Sequence, residues 1–173
     1  MRMNEGLDTG PVLAKRAVPI GPTDDAGRLH DKLAELGAGL MQEVLSGIES
    51  GRFPEERPQR DSEATYAHKI QKQDLALRWS RPARELERMV RAFSPSPGAT
   101  TILDGESLKI WRAAIARGAG EPGELLKAEG DSIVVACGEG ALQLIELQRA
   151  GGKRMAAGEF LRGHRMQVGS RFA

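Results

Sequence analysis

Asp8 stands between two glycines in Gly6-Leu7-Asp8-Thr9-Gly10, a pattern that places a carboxylate on a tight loop. A carboxylate so placed can accept or orient a proton. From the local sequence alone, a turn-forming Asp8 stands ahead of a catalytic one. The second constellation is basic. Arg84, Arg88 and Arg91 share one helical face by their spacings of four and three, with Leu86, Met89, Val90 and Phe93 opposite. Lys153, Arg154, Arg162 and Arg165 follow near the end of the chain. Cations in such patches can neutralise phosphates and release condensed counterions. The plainer reading is a solvated face. His30, His68 and His164 have no metal-ligand spacing, and no metal site is expected. Cys137 is the one cysteine, at the end of the apolar run 133–136, and its being alone excludes a disulfide framework and any cysteine-based metal site. The chain has no Gly-Lys-Ser/Thr phosphate loop, no dinucleotide fingerprint and no serine elbow.

These residues must be positioned by a chain of 173 residues, enough for one full domain or one domain plus a fragment. Its net charge of +1 is unevenly spread. Residues 1–72 carry 10 Lys and Arg against 12 Asp and Glu, and residues 73–173 carry 15 against 12. From Arg149 to Ala173, six basic residues face the single acid Glu159. Basic charge concentrated late suits a nucleic-acid or anionic-ligand binder. No apolar run approaches the roughly 20 residues of a membrane span, and the N-terminus has no signal-peptide h-region. A reducing, cytoplasmic compartment is expected.

Residues 12–20 read as an edge strand ended by Pro19. A long helix follows, capped by Thr23 with Asp24 and Asp25 in its first turn. Leu29, Leu33, Leu36, Leu40, Val44 and Ile48 form its buried face, and Gly51 ends it. A strand and one helix lack the sheet this leucine face should cover. Residues 52–65 are polar, contain two prolines and read as a linker, which continues to Lys72 and includes Lys69. A short helix capped by Ser80 follows, with Pro82 in its first turn. From Ala99 the pattern changes to at least five short strands. An Asp104-Gly105 hairpin comes first, then turns at 121–123, 129–131 and 138–140. A small antiparallel barrel, ending in a short helix over 155–162, is the expected architecture.

Several segments resemble the methionyl-tRNA formyltransferase family. Met3-Asn4-Glu5-Gly6-Leu7-Asp8-Thr9-Gly10-Pro11-Val12-Leu13 is similar to the family's loop bearing a catalytic aspartate. Leu29-His30-Asp31-Lys32-Leu33-Ala34-Glu35-Leu36-Gly37 resembles the helix after it, and Thr65-Tyr66-Ala67-His68-Lys69-Ile70 the interdomain linker. Arg91-Ala92-Phe93-Ser94-Pro95-Ser96-Pro97-Gly98 and Leu108-Lys109-Ile110-Trp111 resemble the family's C-terminal domain. Leu147-Gln148-Arg149-Ala150-Gly151-Gly152-Lys153-Arg154-Met155 and Phe160-Leu161-Arg162-Gly163 resemble its end.

The resemblance implies an α+β chain. Residues 1–53 would be the remnant of a Rossmann-like formyltransferase domain (an edge strand and a long helix), 54–72 a linker, and 73–173 an OB-like antiparallel β-barrel. It implies formyl transfer from 10-formyltetrahydrofolate to the amino group of methionyl initiator tRNA, with no DNA or membrane partner. The family's catalytic Asp corresponds to Asp8. Its Asn and His, two residues apart, have no counterpart: Asn4 is the only asparagine, and no Asn-x-His occurs. These residues and most of the folate-binding sheet are expected to lie upstream of Met1, and the chain alone is expected to bind tRNA without turnover. The tRNA contacts implied are Lys69, Lys72, Arg84, Arg88, Arg91, Lys153, Arg154, Arg162 and Arg165. Two alternatives stay open: a formyltransferase acting on another amine such as a nucleotide sugar, and a stand-alone polyanion-binding barrel.

Overall fold

The computed structural model describes residues 1–173, which divide into two compact units. Unit 1 comprises residues 1–22 and 28–69; unit 2 comprises 23–27 and 70–173.

Unit 1 is built on helix α1 (Ala26–Glu49), whose first two residues belong to unit 2. The helix ends as its sequence dictates. Gly51 adopts φ 75° and donates to the Ile48 carbonyl, while Arg52 donates to that of Gly47. This pair of bonds satisfies carbonyls that the last turn leaves open, and the positive φ favours glycine. The expected start at Thr23 is corrected to Ala26, and no acid lies in the first turn. Residues 24 and 27 are held elsewhere: the Asp24 carbonyl accepts from Arg91 and the Gly27 amide donates to Ser94. The leucine face is real in its spacing but not buried. No residue of α1 is buried, and Leu33 and Ile48 of that face are 48% and 36% exposed.

The strand expected over 12–20 is also corrected. Only Val12 pairs, through an isolated antiparallel bridge to Arg57. A strand needs a neighbour for its N–H and C=O groups, and none meets residues 13–20. A bidentate ion pair from Arg16 to Glu43 ties this segment to α1 instead.

Unit 2 holds the core. Helix α2 (Ala83–Ala92) buries Leu86 and Val90 completely, each contributing about 2 kcal/mol by removing apolar surface from water. Its N-cap is Pro82, not the expected Ser80. Proline disfavours helical geometry in the residue before it, so the helix cannot begin earlier. Six antiparallel strands follow: β1 (Ala99–Leu103), β2 (Glu106–Ala116), β3 (Leu125–Glu129), β4 (Ser132–Ala136), β5 (Ala141–Arg149) and β6 (Met155–Ala156). Their order is β1-β2-β5-β4-β3, with β6 also on β5. The β1–β2 turn has Asp104 at φ 51° and Gly105 at φ 79°. Two consecutive positive φ values match the twist of a two-residue hairpin, as Asp-Gly predicts. The final helix, α3 (Ala157–Gly163), starts two residues later than expected because Met155 and Ala156 pair with β5.

The sheet path has two ends, β1 and β3. Residues 169–173 hydrogen-bond to both. Ile102 and Ala173 exchange two bonds of 2.9 Å. Leu125 donates to Ser170 and accepts from Gly169, both at 2.9 Å, and Phe172 donates to Gly123 at 2.8 Å. Residues 169–173 carry no strand signal of their own. Their partners lie far away in sequence, so no local pattern announces them.

Candidate functional site

Asp8 adopts φ 53°, a left-handed conformation that Asp tolerates better than most residues. Its loop is held from two sides. The Asn4 Oδ1 accepts from the Gly6 amide at 3.2 Å and the Thr9 hydroxyl at 2.9 Å. Gln59 Nε2 donates to the carbonyls of Asp8 and Gly10, at 2.8 and 2.7 Å. A side chain at Gly10, the one buried residue of unit 1, would meet the Arg2 carbonyl. The Asp8 carboxylate itself is exposed. Such a group can accept or orient a proton, but it supplies no donor to a developing oxyanion. By sequence Gln59 is only a linker residue. Nothing local marks it, since its partners are 51 and 49 residues away.

The arginine stripe of α2 divides. Arg84 and Arg88 are exposed one turn apart. Arg91 is half-buried: its Nε donates to Glu87 at 2.6 Å and its guanidinium to the Asp24 carbonyl at 2.7 Å. A salt-bridged Arg91 holds residues 23–27 against α2. The Glu87–Arg91 spacing of four was the available signal.

Lys69 is an exposed residue of unit 1, and Lys72 an exposed residue of unit 2 at the start of a short 3-10 turn. Lys153 and Arg154 are exposed beside β6. Arg162 and Arg165 line one open cleft of about 450 Å³ together with Glu129 and Asp131. Carboxylates in that cleft offset its cations, which makes it a poorer anion site than the charge count of this end suggested. Arg154 lies 3.8 Å from the centre of the Trp111 ring, and the Lys109 ammonium 5.4 Å from it. Neither Lys109 nor Trp111 carries a functional signal in the sequence.

Cys137 is buried, and desolvation pushes its thiol up to about 11. It stays protonated at neutral pH and is no nucleophile. No three His, Cys, Asp or Glu side chains converge as a metal site would require. No helix is long and apolar enough to cross a membrane.

Two family models match the chain: formyl transferase over residues 1–45, and the formyl transferase C-terminal domain over residues 69–165. Among curated relatives, the methionyl-tRNA formyltransferase of Dechloromonas aromatica (strain RCB) is 49% identical over 173 residues, covering 99% of this chain and 55% of that protein. The methionyl-tRNA formyltransferase of Aromatoleum aromaticum (strain DSM 19018 / LMG 30748 / EbN1) is 51% identical over 172 residues, covering 99% and 54%. The chain thus spans about half the length of the curated relatives it matches. Among solved structures, HypX from Aquifex aeolicus in complex with tetrahydrofolic acid aligns with TM-score 0.69 at 22% identity, over 97% of this chain and 32% of that one. At that identity the likeness speaks to the fold alone.

Proposed function

Because the chain belongs to the formyl transferase family, we propose that it is the C-terminal portion of a methionyl-tRNA formyltransferase. The observation that carries this is near 50% identity to methionyl-tRNA formyltransferases across 99% of the chain. Those names favour an initiator tRNA over a nucleotide sugar as acceptor. The whole enzyme would move a formyl group from 10-formyltetrahydrofolate to the amino group of methionyl initiator tRNA in the cytoplasm. Residues 1–53 are then the end of its catalytic domain, 54–72 a linker and 73–173 the tRNA-binding domain. The bonds from residues 169–173 to both edge strands support reading that domain as an OB-like barrel.

Asp8 is the catalytic residue of this portion, where it would orient a proton-transferring partner. The residues present do not fit the folate donor. A folate pocket buries most of its ligand against apolar and aromatic walls, whereas unit 1 buries only Gly10. No step through the folate is therefore assigned to these residues. Unit 2 supplies the tRNA contacts. Arg84, Arg88, Lys153 and Arg154 are exposed and rich in donors, with Arg162, Arg165 and Lys72 adding charge; Lys69, at the end of unit 1, is a separate cation of the linker. Arg91, already paired with Glu87, sets the geometry of this surface more than it meets phosphate.

The purified chain, given 10-formyltetrahydrofolate and charged initiator tRNA, is expected to form no formyl-methionyl-tRNA above a no-enzyme control. It is nevertheless expected to bind that tRNA. With about four to six phosphates neutralised, log K falls against log salt with a slope of roughly −4 to −5. Changing Arg88 and Arg154 together to Ala should flatten the slope by about two. Turnover above control, or a salt-independent affinity in anisotropy titrations, would contradict this reading.

A further inference from the structure

We propose that Trp111 is the positioning residue of a phosphate subsite whose two cations are Lys109 and Arg154. The inference rests on the reading of unit 2 as an RNA-binding domain, and names where and how one phosphate is held.

Trp111 occupies an unusual place. Strand β2 alternates buried and exposed residues until Ile110 and Trp111, which are 0% and 7% exposed in succession. The β2–β5 register shifts at this point, so the tryptophan breaks the alternation. Although buried, Trp111 is not part of the core cluster of unit 2. Its cover comes from elsewhere. The Arg154 guanidinium lies 3.8 Å from the ring centre, and a side chain at Gly98 would come within 2.7 Å of the ring. A large indole is kept outside the core and roofed by a cation.

The indole also fixes the backbone that carries Arg154. Its Nε1 donates to Gln148 Oε1 at 3.0 Å, and the Gln148 amide donates to the Gly152 carbonyl at 2.8 Å. One side chain thus holds both the turn before Lys153 and the guanidinium after it. The two cations are anchored alike: Lys109 donates to the Pro97 carbonyl at 2.9 Å, and Arg154 to the Pro95 carbonyl at 3.4 Å.

Carbonyls and a π face hold a cation without cancelling its charge. Arg91 and Arg149 are different, because Glu87 and Glu106 neutralise them. Five N–H donors on Arg154 and three on Lys109, with one bond each to these carbonyls, leave several donors for an anion. Side chains already held lose less rotamer freedom on binding. The ligand is a backbone phosphate and not a base, since a covered ring offers no face for base stacking. Such a contact positions RNA without reading its sequence.

The test uses the full chain, an initiator tRNA transcript, a salt series, and indole N–H resonances of the two tryptophans. K109Q and R154Q should each weaken binding about three- to tenfold and flatten the salt slope by about one. Trp111→Leu should match R154Q within about twofold, and the double variant should be no weaker than R154Q alone. By contrast, Trp111→Leu and R84Q should multiply. Trp111→Phe keeps an aromatic face under Arg154 but loses the bond to Gln148, so its affinity should fall between those of wild type and Trp111→Leu. The Trp111 indole resonance should move during titration while that of Trp79 stays. A still Trp111 resonance overturns the inference even if Trp111→Leu fails to fold. So does a folded Trp111→Leu that binds like wild type, or multiplicative losses with R154Q. Wild type that binds RNA while K109Q and R154Q are silent overturns the subsite and leaves the RNA-binding reading standing. Wild type that binds no RNA overturns both.

Discussion

Replacing Phe172 by alanine is expected to lower the unfolding free energy of unit 2 by about 3–5 kcal/mol, the usual cost of emptying an aromatic site in a core. Phe172 is 4% exposed and sits 5.5 Å from the Trp79 ring centre, tilted by 56°. The loss does not stop at the cavity. The Trp79 indole donates to the Thr101 hydroxyl at 3.0 Å, and that hydroxyl donates to the Ala173 carbonyl at 2.9 Å. The ring thus anchors a segment whose amides and carbonyls complete both ends of the sheet path. Gly123, at φ 86°, leaves room for the Phe172 carbonyl that a side chain would obstruct. Urea titrations of the full chain followed by tryptophan fluorescence would measure the change. Phe172→Leu, which keeps much of the volume, should cost less than half as much. A loss under about 1 kcal/mol for Phe172→Ala, with m unchanged, would show that the segment only decorates the sheet.

Amides of α1 are expected to exchange about a thousandfold faster than those of β5. Exchange reports local opening, and opening is easy where little apolar surface is covered. None of the 24 residues of α1 is buried, and Leu33 and Ile48 of its leucine stripe are 48% and 36% exposed. Helices in proteins draw most of their stability from a packed apolar face, and α1 buries none. By contrast, Leu142, Leu144 and Leu147 of β5 are fully buried between two neighbouring strands. The exposed stripe should also drive association at high concentration. Equal protection of α1 and β5 in a proven monomer would contradict this account.

What could be read from sequence was what is local. Asp104-Gly105, Glu121-Pro122-Gly123 and Gly51 place their turns and helix end because the conformations they favour are set within four residues. β1, β4 and β5 are legible for the same reason, each set off by turn signals, β1 by alternation and β4 as a short buried apolar run. What escaped depends on partners distant in the chain. Residues 12–20 have the composition of a strand, but composition supplies no neighbour. Arg88 and Arg91 look alike as members of one basic face; Glu87 four residues before Arg91 hints at the difference, but the Asp24 carbonyl that anchors Arg91 lies 67 residues away. The Trp111 cluster was hidden twice, by an irregular register in β2 and by a cation arriving from beyond β5. Asp8 could be singled out only by resemblance, since its loop chemistry alone suits any tight turn.

The closing segment also bears on the order in which unit 2 assembles. Its hairpins, β1–β2 and β3–β4, join residues a few positions apart, whereas Thr101 and Ala173 meet across 72 positions. Long loops are expensive to close before many contacts reward them, so these ends come together after the hairpins have formed. Contacts made after the rate-limiting step leave the folding rate alone and act on unfolding. The alanine at position 172 should therefore steepen escape from the native state while the refolding limb of the chevron stays where it was. Residues 169–173 then act as a latch that sets how long the native sheet lasts, not how fast it is made.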